Sequence, residues 1–284
     1  MTTLRERGIS LVFPITILVL FIILYLRVFN DLLYDWLNNP DYSHGFLIPI
    51  MALYIAWSKR DILERIHPAP SGWGLAVLLV GIGQYILGNI GAEHFLQSTS
   101  MIIVILGIVL FLRGWRTMRI ILAPSLFLIF MIPLPAIIWN KFAFGLKLFA
   151  TKIAVVFMQA MGLVVLREGN VLTLPATTLE VVDACSGLRS LISLAALSTM
   201  FGLLSLFSLW KKWLLFILVV PVAIASNIIR LIVITVFAEK FGIDITSGIS
   251  HTVLGIFVFC IGLVLVWGVY KILSIIPSKA IVKV

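Results

Sequence analysis

Charge is scarce in this chain. Of 284 residues, 21 are Lys or Arg and 12 are Asp or Glu, together 12%, while 62% are hydrophobic. A mean hydropathy of +1.17 excludes an ordinary soluble domain. The net charge of +9 would raise nucleic-acid binding in a soluble protein, but these cations cluster at the ends of apolar runs. They read as topology determinants and contacts to membrane lipids, and no nucleic-acid partner is expected. Cysteine is nearly absent: Cys185 stands at the edge of one apolar run and Cys260 deep in the last, which argues against a structural disulfide. The histidines, His44, His67, His94 and His251, fall on separate segments without paired ligand spacing, so no metal or cofactor is expected. No internal repeat, low-complexity tract or inter-domain linker is visible. The first apolar run, Ile9 to Leu26, lacks a small-residue cleavage site and is expected to stay as a signal anchor.

What is abundant is the long apolar run. Runs bounded by charge predict a single all-α polytopic membrane domain over 1–284, a helical bundle with about eight transmembrane helices. The spans are predicted at about 9–28, 44–58, 72–91, 95–112, 118–136, 186–207, 213–237 and 251–273. Arg5, Arg7, Lys59, Arg60, Arg65, Arg113, Arg116, Arg119, Lys211 and Lys212 then share one side, which the positive-inside rule makes cytoplasmic, with both termini. The segment from Trp139 to Gly162 decides the parity. On a helical wheel Asn140, Lys141, Lys147, Thr151, Lys152 and Gln159 fall within an arc of roughly 140°. That pattern predicts an interfacial amphipathic helix over about 139–162, the alternative being a ninth, lysine-rich span. The stretch 167–183, with Gly169-Asn170, Pro175 and alternating Thr, Leu and Val, predicts a short β-hairpin of two strands around a turn.

The hairpin leads into Asp183-Ala184-Cys185-Ser186-Gly187-Leu188-Arg189, where a polar segment runs into an apolar one. A thiol reacts as thiolate, and a helix N-terminus with nearby guanidinium groups lowers its pKa. Arg189, four residues on, is expected to share the helix face of Cys185. Arg230 lies 17 residues beyond Trp213, about 25 Å along a helix from the inner surface. His251 opens the last span at the same outer depth. The three types suit a nucleophile (Cys185), a base and then acid (His251), and a fixed cation for an oxyanion or substrate carbonyl (Arg230). Asn227, one turn before Arg230, is a candidate orienter. Asp183, Ser186 and Glu180 stand close in sequence, with Asp183 and Glu180 suited to holding the arginines. Ser43 and His44, polar and outer, are candidates for lining the same cavity, as is Glu180.

A lone Cys at a helix end is usually inert and a lone surface His usually solvated, whereas an Arg inside an apolar span by default marks a function or a buried partner. Two rival readings compete. A multi-pass transporter of an anionic substrate would use Arg189 and Arg230 but predicts polar groups at several span centres, which are largely missing here. A membrane lipid acyltransferase would share a thioacyl step without cutting a protein.

The ordered set resembles the exosortase/archaeosortase family of membrane cysteine transpeptidases and proteases. The resemblance rests on Glu180-Val-Val-Asp-Ala-Cys185-Ser-Gly-Leu-Arg189-Ser-Leu, Asn227-Ile-Ile-Arg230, His251 at the last span, Asp41-Tyr-Ser-His44-Gly-Phe-Leu-Ile-Pro, Met131-Ile-Pro-Leu-Pro and Gly169-Asn-Val-Leu-Thr-Leu-Pro. It implies Cys185, Arg230 and His251 as catalytic set, and an integral cytoplasmic-membrane enzyme with its active site on the extracytoplasmic side. It also implies partners: secreted proteins with a C-terminal Pro-Glu-Pro-like (PEP-CTERM-type) motif, a transmembrane helix and a basic tail. The tail would be cut through a Cys thioacyl intermediate, and the new C-terminus handed to water or to a cell-envelope acceptor.

Overall fold

The computed structural model describes residues 4–175, 177–181, 187–241 and 248–277, with side chains described throughout except at 4–11, 241 and 248–252. The chain is an all-α polytopic membrane protein with one small sheet. Its helices are α1 (Leu4–Asn38), α2 (Leu47–Trp57), α3 (Arg60–Arg65), α4 (Trp73–Ile90), α5 (His94–Arg113), α6 (Trp115–Phe127), α7 (Ala136–Ala160), α8 (Leu188–Leu204), α9 (Leu209–Phe241) and α10 (Gly248–Ile275). Short 3₁₀ segments cover Pro40–Phe46 and Leu128–Met131, and strands β1 (Leu166–Glu168), β2 (Val171–Thr173) and β3 (Thr178–Glu180) lie between α7 and α8. The chain divides into two compact units, 1–50 with 59–133, and 51–58 with 134–284.

Among the described residues six helices are long and apolar enough to cross a membrane, against about eight expected. The expected spans 44–58, 118–136 and 186–207 are shorter helices: α2 of 11 residues, α6 of 13 and α8 of 17. Proline accounts for part of this, because Pro133 and Pro135 follow α6 and cannot continue a helix. Conversely, α1 runs ten residues past 28, the expected end of the first span. Tyr25, Val28, Leu32 and Trp36, three or four residues apart, keep one face buried beyond Arg27.

In the first unit, α4 and α5 pack as a hairpin joined by a tight turn. Gly74, Gly81 and Gly88 recur every seven residues on α4, and a Cβ on each would fall 2.2 Å from Phe111 N, 2.7 Å from a Val104 methyl and 2.9 Å from Gln97 N, all on α5. Missing side chains let the backbones approach, the usual way helices associate where lipid provides no hydrophobic drive. Gly81→Leu is expected to cost about 3 kcal/mol or more, at or above the upper end of overpacking penalties. Gly83, with nothing within 4 Å, is the control: thermal midpoints in detergent should fall for Gly81→Leu and hold for Gly83→Leu.

The same unit joins two sequence motifs. Trp36 Nε1 donates to the Met131 carbonyl at 2.9 Å, and His44 Nε2 lies 3.2 Å from the Phe130 carbonyl. Gly45 is pressed on the Trp36 ring, where a Cβ would overlap Nε1 at 2.2 Å. Burial pushes the His44 imidazole below the usual histidine range, against the opposing pull of the Phe130 carbonyl and of Asp41. The folded state therefore prefers neutral His44. Its contribution is present above the unfolded value of about 6.5 and is lost as pH falls through the lower folded value. Thermal midpoints should drop on acidification from pH 7.5 to 5, and less steeply in His44→Gln; parallel curves would remove His44 as the cause.

In the second unit α8 and α10 run antiparallel to α9. Gly187 meets Asn227 at one end of the α8 pair and Gly202 faces Lys212 at the other. Gly255 lies by Arg230, Gly262 by Ser226, and at the far end Lys211 donates to the Leu273 carbonyl at 2.8 Å and to Ile276. Lys211, expected as a surface topology determinant, is 2% exposed and satisfies carbonyls that the last turn of α10 leaves open.

By length and composition helix α7 stands among the six helices able to cross, the length that the alternative of a ninth span requires. Its polar arc is divided: Lys147 and Thr151 are buried with Ala150, Ala154 and Met158, while Lys141, Lys152 and Gln159 are exposed beside Phe142, Phe149 and Phe157. The polar arc of the wheel is thus split, with Lys147 and Thr151 facing protein and the other four residues exposed. Instead of a two-stranded hairpin, three strands form an antiparallel meander in the order β1-β2-β3. Gly169, at φ +65°, turns β1 into β2, and Leu172, Leu174 and Leu179 bury one face of the sheet in a core with Met158, Leu231, Ile234 and Ala238.

Candidate active site on α9

Arg230 is the deepest cation of the predicted set, 7% exposed in a helix whose neighbours are Ile, Leu, Val and Ala. Water does not solvate it there, so its charge needs protein partners. Asn227, itself 4% exposed, accepts from Arg230 Nη2 through Oδ1 at 2.8 Å. The spacing of three puts both on one face of α9, which makes the pair a local consequence of Asn-Ile-Ile-Arg.

Two glycines close on this pair. Gly187 precedes the first turn of α8 at φ +80°, ψ −2°, in the left-handed region that favours glycine. A Cβ there would fall 2.8 Å from Asn227 Cγ and 3.0 Å from its Nδ2. Gly255 of α10 faces Arg230 from the other side, where a Cβ would lie 3.8 Å from Nη1. Beside Asn227 opens a small cleft with about 10 Å³ of space, lined by Leu146 and Ala150 of α7, Gly187 and Leu191 of α8, and Ala223, Ile224 and Asn227 of α9. Its walls are apolar except for the Asn227 amide.

Of the predicted site residues, the structure brings Asn227 and Arg230 together and sets Arg189, partly buried, in the first turn of α8. Cys185, Asp183 and Ser186 lie outside the described residues, as does the side chain of His251, whose backbone belongs to the first turn of α10. Glu180 is exposed on β3 and accepts from Asn170 Nδ2 at 3.3 Å. Ser43, bonded to the Pro40 carbonyl at 3.1 Å, and His44 belong to the first unit. Cys260 is a free, exposed thiol. Sequence reasoning did not single out Gly187 or Gly255; the one available signal was a glycine directly before a helix start.

Against this geometry, a model of the transmembrane exosortase family matches residues 36–268, most of the chain. The chain belongs to the transmembrane exosortase family. Comparison with curated proteins and with solved structures gave no match. The family match covers every predicted site residue, from Ser43 to His251. Within this exosortase, the described part of the site is a buried, hydrogen-bonded guanidinium at the meeting of α8, α9 and α10.

Proposed function

We propose that this exosortase is a cysteine endopeptidase or transpeptidase of the cytoplasmic membrane. Its substrates on this reading are secreted proteins ending in a Pro-Glu-Pro-like motif, a transmembrane helix and a basic tail. The observation that carries the proposal is the convergence on Arg230. Gly187 and Gly255 follow Cys185 and His251 by two and four residues, and both border the Asn227–Arg230 pair. On this reading Cys185 and His251, near in sequence to those contacts, act together with Arg230.

In the proposed reaction the Cys185 thiolate attacks a peptide carbonyl carbon next to the motif. Arg230, oriented by Asn227, donates to the oxygen as it gains charge. The C–N bond breaks, His251 protonates the departing amine, and the N-terminal product remains as a thioester on Cys185. Water or the nucleophile of an envelope acceptor then takes the acyl group and frees the thiol. The positive-inside reading of the basic residues supports an outer-surface site, where a substrate held by its own helix would present the motif.

The reading is tested by co-expressing the enzyme with a secreted reporter carrying such a tail and immunoblotting for tail loss. Tail loss that requires the enzyme supports it. An intact tail across a panel of motif variants, with the enzyme in the membrane, would return the site to an anion-binding reading.

A further inference from the structure

Every backbone group of a small sheet should have a partner or meet solvent, and the ladder here shows which do. Leu174 N–H donates to Thr177 O at 2.8 Å and Val181 N–H to Asn170 O at 2.9 Å. In an antiparallel pair bonded residues alternate, so Leu172 and Leu179, paired between these two, exchange the intervening bonds. Thr178 and Glu180 therefore turn their N–H and C=O groups away from β2. Among the described residues, no hydrogen bond occupies them. Among the described residues β3 thus presents an open edge, with Thr178 and Glu180 exposed and Leu179 anchored in the core.

Open edges recruit strands, and proteins usually blunt or cover them. This edge is short but rigidly backed, since Leu172, Leu174, Leu179 and Val181 pack on Leu231, Ile234 and Ala238 of α9. Those α9 residues begin directly after Arg230. From Val181 the chain needs six residues to reach Gly187, which contacts Asn227. The edge thus stands beside the outer continuation of the helix that carries the buried guanidinium.

We propose that the outer edge of β3 binds an extended segment of the polypeptide substrate as a fourth strand. The substrate's main chain would exchange hydrogen bonds with Thr178 and Glu180, sequence-tolerant contacts that hold it extended. The proposal rests on the protein-substrate reading above, and deepens it by naming where the peptide binds.

Glu180→Pro removes one outward donor and leaves the Leu179 bonds to β2 intact, a place where proline is tolerated in a strand. Glu180→Ala removes only the side chain. With the tailed reporter, Glu180→Pro is expected to raise KM about tenfold, the scale of one lost hydrogen bond, with kcat held, and to exceed the change that Glu180→Ala brings. An unchanged KM in Glu180→Pro, or an equal rise in Glu180→Ala, would overturn the edge assignment. A second measurement is independent of catalysis: a benzophenone amino acid at position 178 in Cys185→Ala protein should photocrosslink to the reporter, and Glu180→Pro should suppress the adduct. Crosslinking without cleavage by the wild type would keep the edge and remove the proposed reaction. Cleavage without crosslinking would keep the reaction and remove the edge.

Discussion

Arg230→Lys is expected to lower reporter cleavage about 10²- to 10³-fold, the loss seen when one preorganised oxyanion donor is removed. The charge survives this change, so the effect isolates geometry. A guanidinium can give one nitrogen to Asn227 Oδ1, at 2.8 Å, and keep others for a substrate oxygen; a lysine ammonium has no such planar fork. If Arg230 acts on the oxygen that gains charge, the loss falls on kcat with KM little changed. Arg230→Ala is the poorer probe, because it leaves the buried Asn227 amide without this partner, at about 1–3 kcal/mol of stability. An equal loss in kcat/KM carried entirely by KM would recast Arg230 as a substrate anchor.

Cys185→Ala is expected to abolish cleavage, by about four orders of magnitude or more, as removal of a covalent nucleophile does elsewhere. Cys185→Ser should fare little better, since a hydroxyl lacks the thiol's accessible ionisation. A variant at Cys260, which is free and exposed on α10, should cleave normally and serves as the internal control.

Much of this molecule was legible in its sequence where one physical signal dominated. Apolar length marked α1, α4, α5, α9 and α10, and the Asn-Ile-Ile-Arg spacing predicted the buried pair on α9 that the fold contains. The misses share a cause: charge and polarity were read as marks of surface. The first expected span ended at about 28, yet helix α1 continues because its buried stripe runs on to Trp36. Lys147, Thr151 and Lys211 were placed at headgroups, but the bundle buries them, Lys211 against the end of α10 and Lys147 over the Phe144 ring at 5.5 Å. Hydropathy also overlooked the glycines. Their value lies in absent atoms, as at Gly74, Gly81 and Gly88 along α5 or Gly187 against Asn227, and a close approach between distant segments leaves no local pattern in sequence.

The proposed chemistry passes through a thioester on Cys185, which can be trapped. Purified enzyme would be mixed with the tailed reporter, quenched in acid during turnover, digested and analysed by mass spectrometry with and without hydroxylamine. The account predicts the reporter's new C-terminus joined to the peptide containing Cys185, released by hydroxylamine and missing from Cys185→Ala. Efficient tail cleavage with no such adduct, continuing in Cys185→Ala, would contradict it.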